Sequence, residues 1–475
     1  MKRLLFFMAA LLGIGGVSAT ELWTGSCTIG NWSGSSVTVE KESFSGAAAG
    51  NVIRVSFSAY AEKNGDDDIT SWTYQLQQKD NGWNTLTDFT GGDLRKGQKC
   101  VSYILTADDV TALQAYGLAV NGAWITISKV ELLTAETESL STVETAMGGS
   151  WGNLELTWSN KGNLANSQKY DCIRVTYTVT AKGAQLNVNT VSGEWTSRAY
   201  KYDDSYDESG TNTGKVLTCT ISDATILEMV QQAGVAISAI NVTITAVDLI
   251  KPEDRTDVVP LTIGTYGIAS YGSSKHLDFT DTGVTPYYAT DVATGTVTLT
   301  PTDKTRAWSG CIVKGLAGDY EIPVTSEVSW QSYMSNLVST GEGGAWVYRS
   351  VYSGYSGDGD AATKIQTYYR YIFAKDGDGD PCFYKLAETY SRTDGDNTVY
   401  YHKLSAHKAY LETSTDVQPS GARVSLVFED GGTTAVSDVN TRNADNGVYY
   451  SLSGVRSDRP TKGMYIVNGK KVIIR

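Results

Sequence analysis

The sequence predicts a mainly β protein in which tandem β-sandwich domains are followed by a further β-rich domain and a small C-terminal β-hairpin domain. The composition supports this class, because 48 Gly, 29 Tyr and 11 Trp accompany only 8 Pro among 475 residues. Val, Thr, Ile and Tyr fall in short runs that alternate with polar residues, which is typical of antiparallel strands. An internal repeat and a length too great for one core indicate several domains.

The N-terminus has the pattern of a secretory signal peptide. A basic pair, Lys2 and Arg3, precedes an apolar run over residues 4–17, and the segment ending at Ala19 satisfies the small-residue rule for cleavage. The run is too short to span a bilayer. The sequence therefore predicts a signal peptide over residues 1–19 and a protein that is secreted or displayed on the outer cell surface.

Two later segments repeat one pattern. Residues 117–133 match residues 234–250 without a gap. We name the two copies module 1, residues 20–133, and module 2, residues 140–250; a short acidic segment joins them. Two copies are too few and too long for a solenoid, so the sequence predicts tandem domains.

Each module contains one segment with helix signals, at an equivalent place before the repeated strands. The first covers residues 107–116, with Thr106 as the expected N-cap. The second covers residues 223–232, with Ser222 as the expected N-cap. A glycine shortly after the last apolar residue ends each helix.

The strand order, with one late helix and a closing strand, is typical of a known kind of module. The residues that carry it in module 1 are Leu22-Trp23-Thr24-Gly25, Gly30-Asn31-Trp32, Asn51-Val52-Ile53-Arg54-Val55, Asn81-Gly82-Trp83, Leu105-Thr106-Ala107-Asp108, Gly117-Leu118 and Val130-Glu131-Leu132. They resemble the galactose-binding-like jelly rolls appended to exported polysaccharide-active proteins of Bacteroidetes-type bacteria. The resemblance implies carbohydrate-binding-module-like jelly rolls. Module 2 departs from it, because Val143-Glu144-Thr145-Ala146 replaces the Leu-Trp-x-Gly opening.

A region of different texture, residues 260–432, follows a charged linker. Its strand and turn signals lie at residues 277–279, 283–290, 310–315, 318–324, 383–386 and 408–412. Their order resembles a β-rich domain common near the carboxy terminus of large exported Bacteroidetes-type proteins, whose activity is generally unassigned. The resemblance implies an architecture and leaves the role of the region open.

The last segment, residues 446–475, predicts a β-hairpin domain. Residues 464–467 and 470–474 read as two strands, and Asn468-Gly469 supplies the two positive-φ positions of a type I′ turn. Together with residues 452–456, this hairpin closely resembles the C-terminal domain of secreted Bacteroidetes-type proteins, which in many members is a type IX secretion sorting signal. The resemblance implies an address outside the inner membrane.

Charge and motif content argue against several classes of function. The formal charge is −13 at pH 7 and becomes −15 without the two cations of the signal peptide, so we expect no nucleic acid partner. The sequence has no Gly-x-Ser-x-Gly elbow, no phosphate-binding loop and no histidines at metal-ligand spacing. We therefore expect a protein that is neither an enzyme nor transmembrane, with no catalytic residues, no metal ligands and no cofactor.

Two structural questions stay open at this stage. The six cysteines fall two per region, which permits either one disulfide in each region or buried thiols. A structural calcium ion is one interpretation of residues 66–68 and of Asp203-Asp204, and solvated loops are the other. Residues 376–380 lack the Gly and Glu that an EF-hand needs after them, so a turn is predicted there.

Aromatic residues beside amide side chains form the candidate binding site. Sugar rings stack their C–H faces on indole and phenol rings, while their hydroxyl groups bond to planar amides or carboxylates. The candidates in module 1 are Trp72, Gln75, Gln77 and Trp83. The candidates in module 2 are Gln185, Trp195, Tyr200 and Tyr202. We interpret Gln75 and Trp83 as recurring in Gln185 and Trp195.

Two classes of function fit these features. The first is a non-catalytic protein that binds a polysaccharide or other glycan, with Trp83 and Trp195 stacking on the ligand. The alternative is a structural or adhesive surface protein that binds a protein partner or matrix and keeps its tryptophans inside. Trp32 recurs as Trp151, and the sequence favours core positions for this pair.

Overall fold

In the computed structural model the chain forms two compact units, Met1–Pro260 and Leu261–Arg475. The described residues are 19–32, 35–86, 92–192, 194–210, 214–326, 335–348, 350–352, 355–356, 363–364, 367–375, 380–385, 390–394, 397–418, 423–429, 449–451, 456–457, 463–467 and 470–474. The predicted signal peptide up to Ser18, most of the predicted 376–380 turn and the Asn468-Gly469 turn lie outside them. In the part of the chain so described, no helix is long and apolar enough to cross a membrane. The mainly β fold class is confirmed.

Module 1 is a sandwich of antiparallel strands organised around one long strand. The strands are β1 Thr20–Asn31, β2 Val37–Val39, β3 Val52–Tyr60, β4 Lys63–Asn64, β5 Asp67–Asp68, β6 Trp72–Gln78, β7 Gly92–Leu94, β8 Cys100–Ile104 and β9 Leu118–Leu133. The first half of β9 pairs with β2 and β6, and its second half pairs with β1 and β3. Trp124 lies at the change of partners, and its φ of 64° interrupts the extended backbone.

Module 2 has the same strand order. Its strands are β10 Ala135–Ser141, β11 Thr145–Met147, β12 Gly152–Thr157, β13 Cys172–Val179, β14 Ala184–Thr190, β15 Thr196–Asp203, β16 Lys215–Thr220, β17 Gly234–Ile240 and β18 Val242–Pro252. One sheet runs β12-β17-β14-β15, and the other runs β10-β18-β13-β16. Asn241, with φ 57°, separates β17 from β18 at the position that matches Trp124 in the gapless repeat. In both modules, therefore, the extended backbone is interrupted at the same point of the repeat. The domain boundaries drawn from the sequence stay predictions.

The two helices lie at the predicted places. Helix α1, Ala107–Tyr116, begins at Thr106, whose side chain accepts from the Asp109 N–H in a reciprocal capping box. Helix α2, Ala224–Ala233, begins at Asp223, whose carboxylate accepts from the Ile226 N–H. The expected N-cap Ser222 is therefore wrong by one residue, because the carboxylate rather than the preceding hydroxyl reaches the free amide.

Modules 1 and 2 are packed together in the first unit. Arg54 in β3 is only 1% exposed, donates two hydrogen bonds to the Asp254 carboxylate and lies 4.0 Å from the centre of the Tyr170 ring. The Ser102 N–H donates to Thr220 Oγ1 at 2.9 Å. A buried apolar cluster completes the interface, with Val52, Ile104, Leu133, Cys172 and Ile250. The polar joining segment thus does not keep the two modules apart.

None of the six cysteines forms a disulfide bond. Cys27 is half-buried and the other five are buried. Burial raises the pKa of Cys100 to about 12 and that of Cys172 to about 11, so both are neutral thiols at physiological pH. The structure therefore favours the second of the two alternatives, in which cysteine serves as a small buried apolar residue.

The second unit contains a large curved sheet and several small ones. Its strands are β19 Val258–Ile263 (which begins before the boundary), β20 Ile268–Gly272, β21 Leu277–Asp278, β22 Thr285–Ala293, β23 Thr296–Pro301, β24 Lys304–Thr305, β25 Gly310–Lys314, β26 Gly318–Pro323, β27 Leu337–Ser339, β28 Ala345–Tyr348, β29 Ser350–Tyr352, β30 Tyr355–Ser356, β31 Thr363–Lys364, β32 Thr367–Lys375, β33 Pro381–Lys385, β34 Tyr390–Asp394, β35 Asn397–Leu404, β36 Ala409–Thr413, β37 Val424–Phe428, β38 Tyr449–Ser451, β39 Arg456–Ser457, β40 Gly463–Val467 and β41 Lys470–Ile474. The large sheet runs β20-β25-β22-β23-β37-β33-β32-β36-β27. A bridge between Ser309 and Val338 brings its two ends together, so the sheet is a nearly closed barrel. The predicted hairpin is present as β40 paired with β41.

Candidate functional site

The outer face of the β12-β17-β14-β15 sheet in module 2 carries a concentrated set of polar and aromatic side chains. Side chains alternate between the two faces of a strand, so Leu186 and Val188 of β14 enter the core. Gln185, Asn187 and Asn189 of the same strand point the other way. We define the module 2 face by nine of the outward-pointing residues of these four strands; they are Asn153, Glu155, Gln185, Asn187, Asn189, Ser197, Tyr200, Tyr202 and Ser238.

Hydrogen bonds fix the central side chains of this face. Asn189 Nδ2 donates to Ser238 Oγ at 3.0 Å, and Ser238 Oγ donates to Asn153 Oδ1 at 2.8 Å. Ser197 Oγ donates to Asn187 Oδ1 at 3.0 Å. Because these groups are neutral and held in place, they form a preorganised floor of amides and hydroxyls.

Tyr200 and Tyr202 lie on the edge strand beside that floor. The register pairs Gln185 with Tyr202 and Asn187 with Tyr200, and Tyr200 Oη donates to Gln185 Oε1 at 3.1 Å. Tyr202 is 54% exposed. The structure therefore brings together three residues that the sequence analysis had proposed for the site, Gln185, Tyr200 and Tyr202.

Exposed tryptophans lie at the ends of the two edge strands. Trp151 directly precedes β12, Trp158 directly follows it, and Trp195 directly precedes β15. All three are about half exposed, Trp195 at 49%. The module 2 face thus has a polar floor that extends from its central strands onto both edge strands, and aromatic residues lie on or next to those edge strands.

Acidic groups near this face have separate roles. Glu155 is exposed on the face and is the single carboxylate among its residues. Asp203 points inward and accepts hydrogen bonds from Tyr177 Oη, at 2.7 Å, and from the Ser205 N–H. Burial raises the pKa of Asp203, but the hydrogen bonds from Ser205 and Tyr177 together bring that pKa below its ordinary value. In the described residues no group of three or more His, Cys, Asp or Glu side chains could hold a metal ion.

The equivalent face of module 1 is formed by β2, β6 and the first half of β9. The register pairs Gln75 with Asn121 and Gln77 with Ala119, while in module 2 Asn187 pairs with Ser238 and Asn189 with Ala236. Because residues 119 and 121 match 236 and 238 in the repeat, Gln75 and Gln77 correspond to Asn187 and Asn189. The proposed match of Gln75 to Gln185 is therefore wrong by two residues. Trp83 and Trp195 do correspond, since each follows its matched amide by the same number of residues.

Trp72 lies on the opposite side of β6 from Gln75 and Gln77. It packs against the module 1 core, and its indole N–H donates to the Ala61 carbonyl oxygen at 2.8 Å. The structure therefore does not bring Trp72 together with the two glutamines. The alternation of residues in the sequence predicts this separation, because Trp72, Tyr74 and Leu76 share one face of the strand.

Trp83 lies at the tip of a hairpin that follows β6. The Asn84 N–H donates to the Asn81 carbonyl oxygen, and both residues between them, Gly82 and Trp83, have a φ of 60°. This is the pattern of a type I′ turn, which usually has Gly or Asn at its second central position. Gln77 Nε2 donates to the Trp83 carbonyl oxygen at 2.8 Å, so the turn is fixed and its indole, 47% exposed, projects from it.

Trp32 and Trp151 are exposed rather than buried, so the expected core positions are wrong. Trp32 directly follows β1 and Trp151 directly precedes the edge strand β12, so both lie at strand ends rather than within a paired strand. Sequence analysis also missed Asn153, Asn187, Asn189 and Ser238. Strand alternation could have found Asn187 and Asn189. They alternate with the apolar residues Leu186 and Val188, which is the pattern of a half-buried strand.

Comparisons with known proteins add little to this description. No protein-family model matches the chain, and no curated protein matches it. One solved structure with a partial match is SGBP-B of the Bacteroides ovatus mixed-linkage glucan utilization locus, in complex with a mixed-linkage heptasaccharide. The identity is 20%, the TM-score is 0.20, and the match covers 24% of this chain and 30% of that chain. A match at that score carries no argument about the fold or ligand of this chain.

Proposed function

We propose that this protein binds polysaccharide without cleaving it, and that the module 2 face is a principal binding site. The observation that carries the proposal is the row Asn153, Ser238, Asn187 and Tyr200, which crosses all four strands of one open sheet face. Amides and hydroxyls there are positioned for sugar hydroxyl groups, and the tyrosine beside them is positioned for a sugar ring.

The shape of the face favours a chain over a small molecule. Small-molecule sites are concave and bury most of their ligand, whereas this face is an open sheet. Three interstrand spacings of about 4.8 Å make it about 14 Å wide. An oligosaccharide segment can lie across such a width and contact the floor and both aromatic edges.

The positions of the acidic groups support binding rather than hydrolysis. Glycoside hydrolysis generally needs two carboxyl groups on opposite sides of the scissile bond. Among the described residues of β12, β14, β15 and β17, Glu155 is on the face and Asp203 points into the module. The face therefore supports recognition and lacks the paired carboxylates that cleavage needs.

The cellular location is part of the same proposal. The basic and apolar pattern of residues 1–19 and the hairpin pattern of residues 446–475 both support export to the cell surface or the medium. A polysaccharide-binding protein would meet its ligand there. Recovery of a mature form beginning at Thr20 from shaved cells or culture medium is the expected result.

Affinity gel electrophoresis of the full chain tests the binding function. Gels would contain a soluble β-glucan, xylan, mannan or α-glucan, and at least one polysaccharide should retard the protein. Tyr202→Ala should lose most of that retardation, whereas Tyr116→Ala, at an exposed position on the end of α1 in module 1, should keep it. No retardation by any member of the panel, or equal loss in both variants, would contradict the proposal and favour a protein partner.

A further inference from the structure

Trp308 in the second unit occupies a turn position that normally selects a small residue. The Ser309 N–H donates to the Arg306 carbonyl oxygen at 3.1 Å, and Trp308, the second residue between them, has a φ of 64°. Gly or Asn is favoured where a turn needs a positive φ, and a bulky residue there is a true outlier. The indole is nevertheless 59% exposed.

The backbone around Trp308 is held from several directions. The Trp308 N–H donates to the Ser273 carbonyl oxygen at 2.8 Å, and the Trp308 carbonyl oxygen accepts from the Ser339 N–H at 3.1 Å. One residue earlier, the Ala307 N–H donates to His276 Nδ1 at 3.1 Å. Strained positions persist where the surroundings over-determine them, and they cluster at functional sites.

The ring of Trp308 rests against a glycine. A Cβ atom on Gly341 would lie 2.9 Å from Trp308 Cζ3, so a larger residue at position 341 would displace the indole. Gly341 itself has a φ of 64°. The ring is thus seated on backbone along one edge, while more than half of its surface remains open to solvent.

Two polar residues adjoin this same glycine through the backbone. Glu342 follows it in the chain, and its carboxylate accepts from Ser273 Oγ at 2.5 Å and from the Ser274 N–H at 3.1 Å. Burial raises the pKa of Glu342, but the hydrogen bonds from Ser273 and Ser274 outweigh it and lower that pKa, so the group is ionised at neutral pH.

His407 is the second polar neighbour of Gly341. The main-chain N–H of His407 donates to the Gly341 carbonyl oxygen at 2.8 Å, and the φ of His407 is 55°. The imidazole stacks on Tyr271, with ring centres 5.8 Å apart, and Nδ1 lies 3.3 Å from the Gly272 carbonyl oxygen. When Nδ1 donates to that oxygen, Nε2 is an acceptor.

We propose that Trp308, Glu342 and His407 form a second carbohydrate-binding site, in the second unit. The indole offers a flat surface for the C–H face of a sugar ring, and the carboxylate and the imidazole accept hydrogen bonds from its hydroxyl groups. The placement of the site rests on these residues alone. The choice of polysaccharide as ligand class rests on the function proposed for the module 2 face.

Fluorine NMR on the full chain, labelled with 5-fluorotryptophan, separates this site from the module 2 face. Each of the 11 tryptophans gives its own resonance, which Trp→Phe variants assign. The same soluble β-glucan, xylan, mannan and α-glucan serve as probes. A probe should shift the Trp308 resonance and leave that of Trp346, another exposed tryptophan of the same unit, unchanged.

The possible outcomes distinguish the two sites. A shift at Trp308 without one at Trp151 or Trp195 supports this inference and contradicts the function proposed for the module 2 face. Shifts at Trp151 or Trp195 without one at Trp308 overturn this inference alone. Absence of any shift overturns both.

Substitution by glycine tests the role of the indole without straining the turn. Glycine adopts a φ of 64° freely, so Trp308→Gly should keep the melting temperature within a few degrees while weakening the affinity of this site roughly 5- to 150-fold. Trp346→Ala is the matched control and should keep the affinity. Unchanged affinity in Trp308→Gly would overturn the inference, as would an equal loss in both variants.

Discussion

Modules 1 and 2 share one strand order but use their equivalent outward positions differently. Arg54 and Arg174 occupy matching places, since they pair in register with Glu131 and Asp248. In module 2 Arg174 keeps its ion pair within the module, with Asp248 at 2.9 Å. In module 1 Arg54 instead reaches Asp254, which follows module 2. The two modules thus share a fold, while their matching outward-facing arginines make different contacts.

The candidate binding faces of the two modules differ in the same way. The floor of module 2 is linked by hydrogen bonds from Asn189 through Ser238 to Asn153. In module 1 the residues that match Asn189 and Ser238 are Gln77 and Asn121, and Gln77 bonds to its own hairpin turn instead. The side chains on the module 2 face are therefore held in place by more hydrogen bonds to one another than their counterparts in module 1.

The largest expected effect is on the contact between modules. Arg54→Ala leaves the Asp254 carboxylate without its buried partner and removes the stacking on Tyr170, so we expect a loss of about 3 kcal/mol in the free energy of unfolding. This is the low end of the range for broken buried pairs, because Asp254 is partly solvated. Arg174 is 26% exposed, against 1% for Arg54, so Arg174→Ala should cost less, about 1 kcal/mol. Urea denaturation of the full chain measures both, and equal costs would contradict the assigned difference.

The next effect concerns the aromatic edge of the module 2 face. Tyr200→Ala together with Tyr202→Ala should reduce the free energy of polysaccharide binding by about 2 kcal/mol, because each ring offers one stacking surface. Trp32→Ala in module 1 serves as the comparison and should change it by less than about 0.5 kcal/mol. Isothermal titration calorimetry measures both, and a larger loss in Trp32→Ala would reverse the ranking of the modules.

A difference between the two modules at an inward-facing position predicts a pH-dependent effect on stability. Tyr177 occupies the place of Phe57, since these residues pair with the matching Ile244 and Ile127. Tyr177→Phe removes a donor to the Asp203 carboxylate and should cost about 1.5 kcal/mol at pH 7. Hydrogen bonding to the ionised form lowers the Asp203 pKa, so this stability is present above the unfolded-state pKa and is lost as pH falls through the folded-state pKa. Denaturation at pH 7 and pH 3 should show a smaller cost at pH 3; a constant cost would contradict the role of the charge.

The smallest effect is at the two matched hairpin tips. Trp83 has a positive φ and Trp195 does not. Trp83→Gly removes the strain of a bulky residue at a positive φ and should raise the free energy of unfolding, by at most about 1 kcal/mol. Trp195→Gly gains no such relief and should destabilise by about 1 kcal/mol. Thermal denaturation distinguishes the two signs, and the same sign for both would show that the turn strain assigned to Trp83 is absent.

Much of the fold could be predicted from the sequence because it depends on local periodicity. Strand alternation predicted the mainly β class, and helix-capping residues placed α1 over Ala107–Tyr116. The residues of the candidate site were predicted only in part. Gln185, Tyr200 and Tyr202 were identified, but the match of Gln75 to Asn187 depends on strand pairing with β9 and β17, which no local pattern specifies. The contact of Arg54 with Asp254 joins residues 200 positions apart and carries no local signal.

The most direct test of the central claim compares Asn187→Ala with Gln75→Ala, because these residues hold matching positions in the two modules. Both are made in a full chain that carries Trp308→Gly, so that the second site does not contribute. Calorimetric titration uses the polysaccharide that is retained most strongly in the affinity gels. Asn187→Ala should weaken binding roughly tenfold, about 1.4 kcal/mol, and Gln75→Ala should leave it unchanged. Equal weakening in both variants, or weakening in Gln75→Ala alone, would contradict the assignment of polysaccharide binding to the module 2 face.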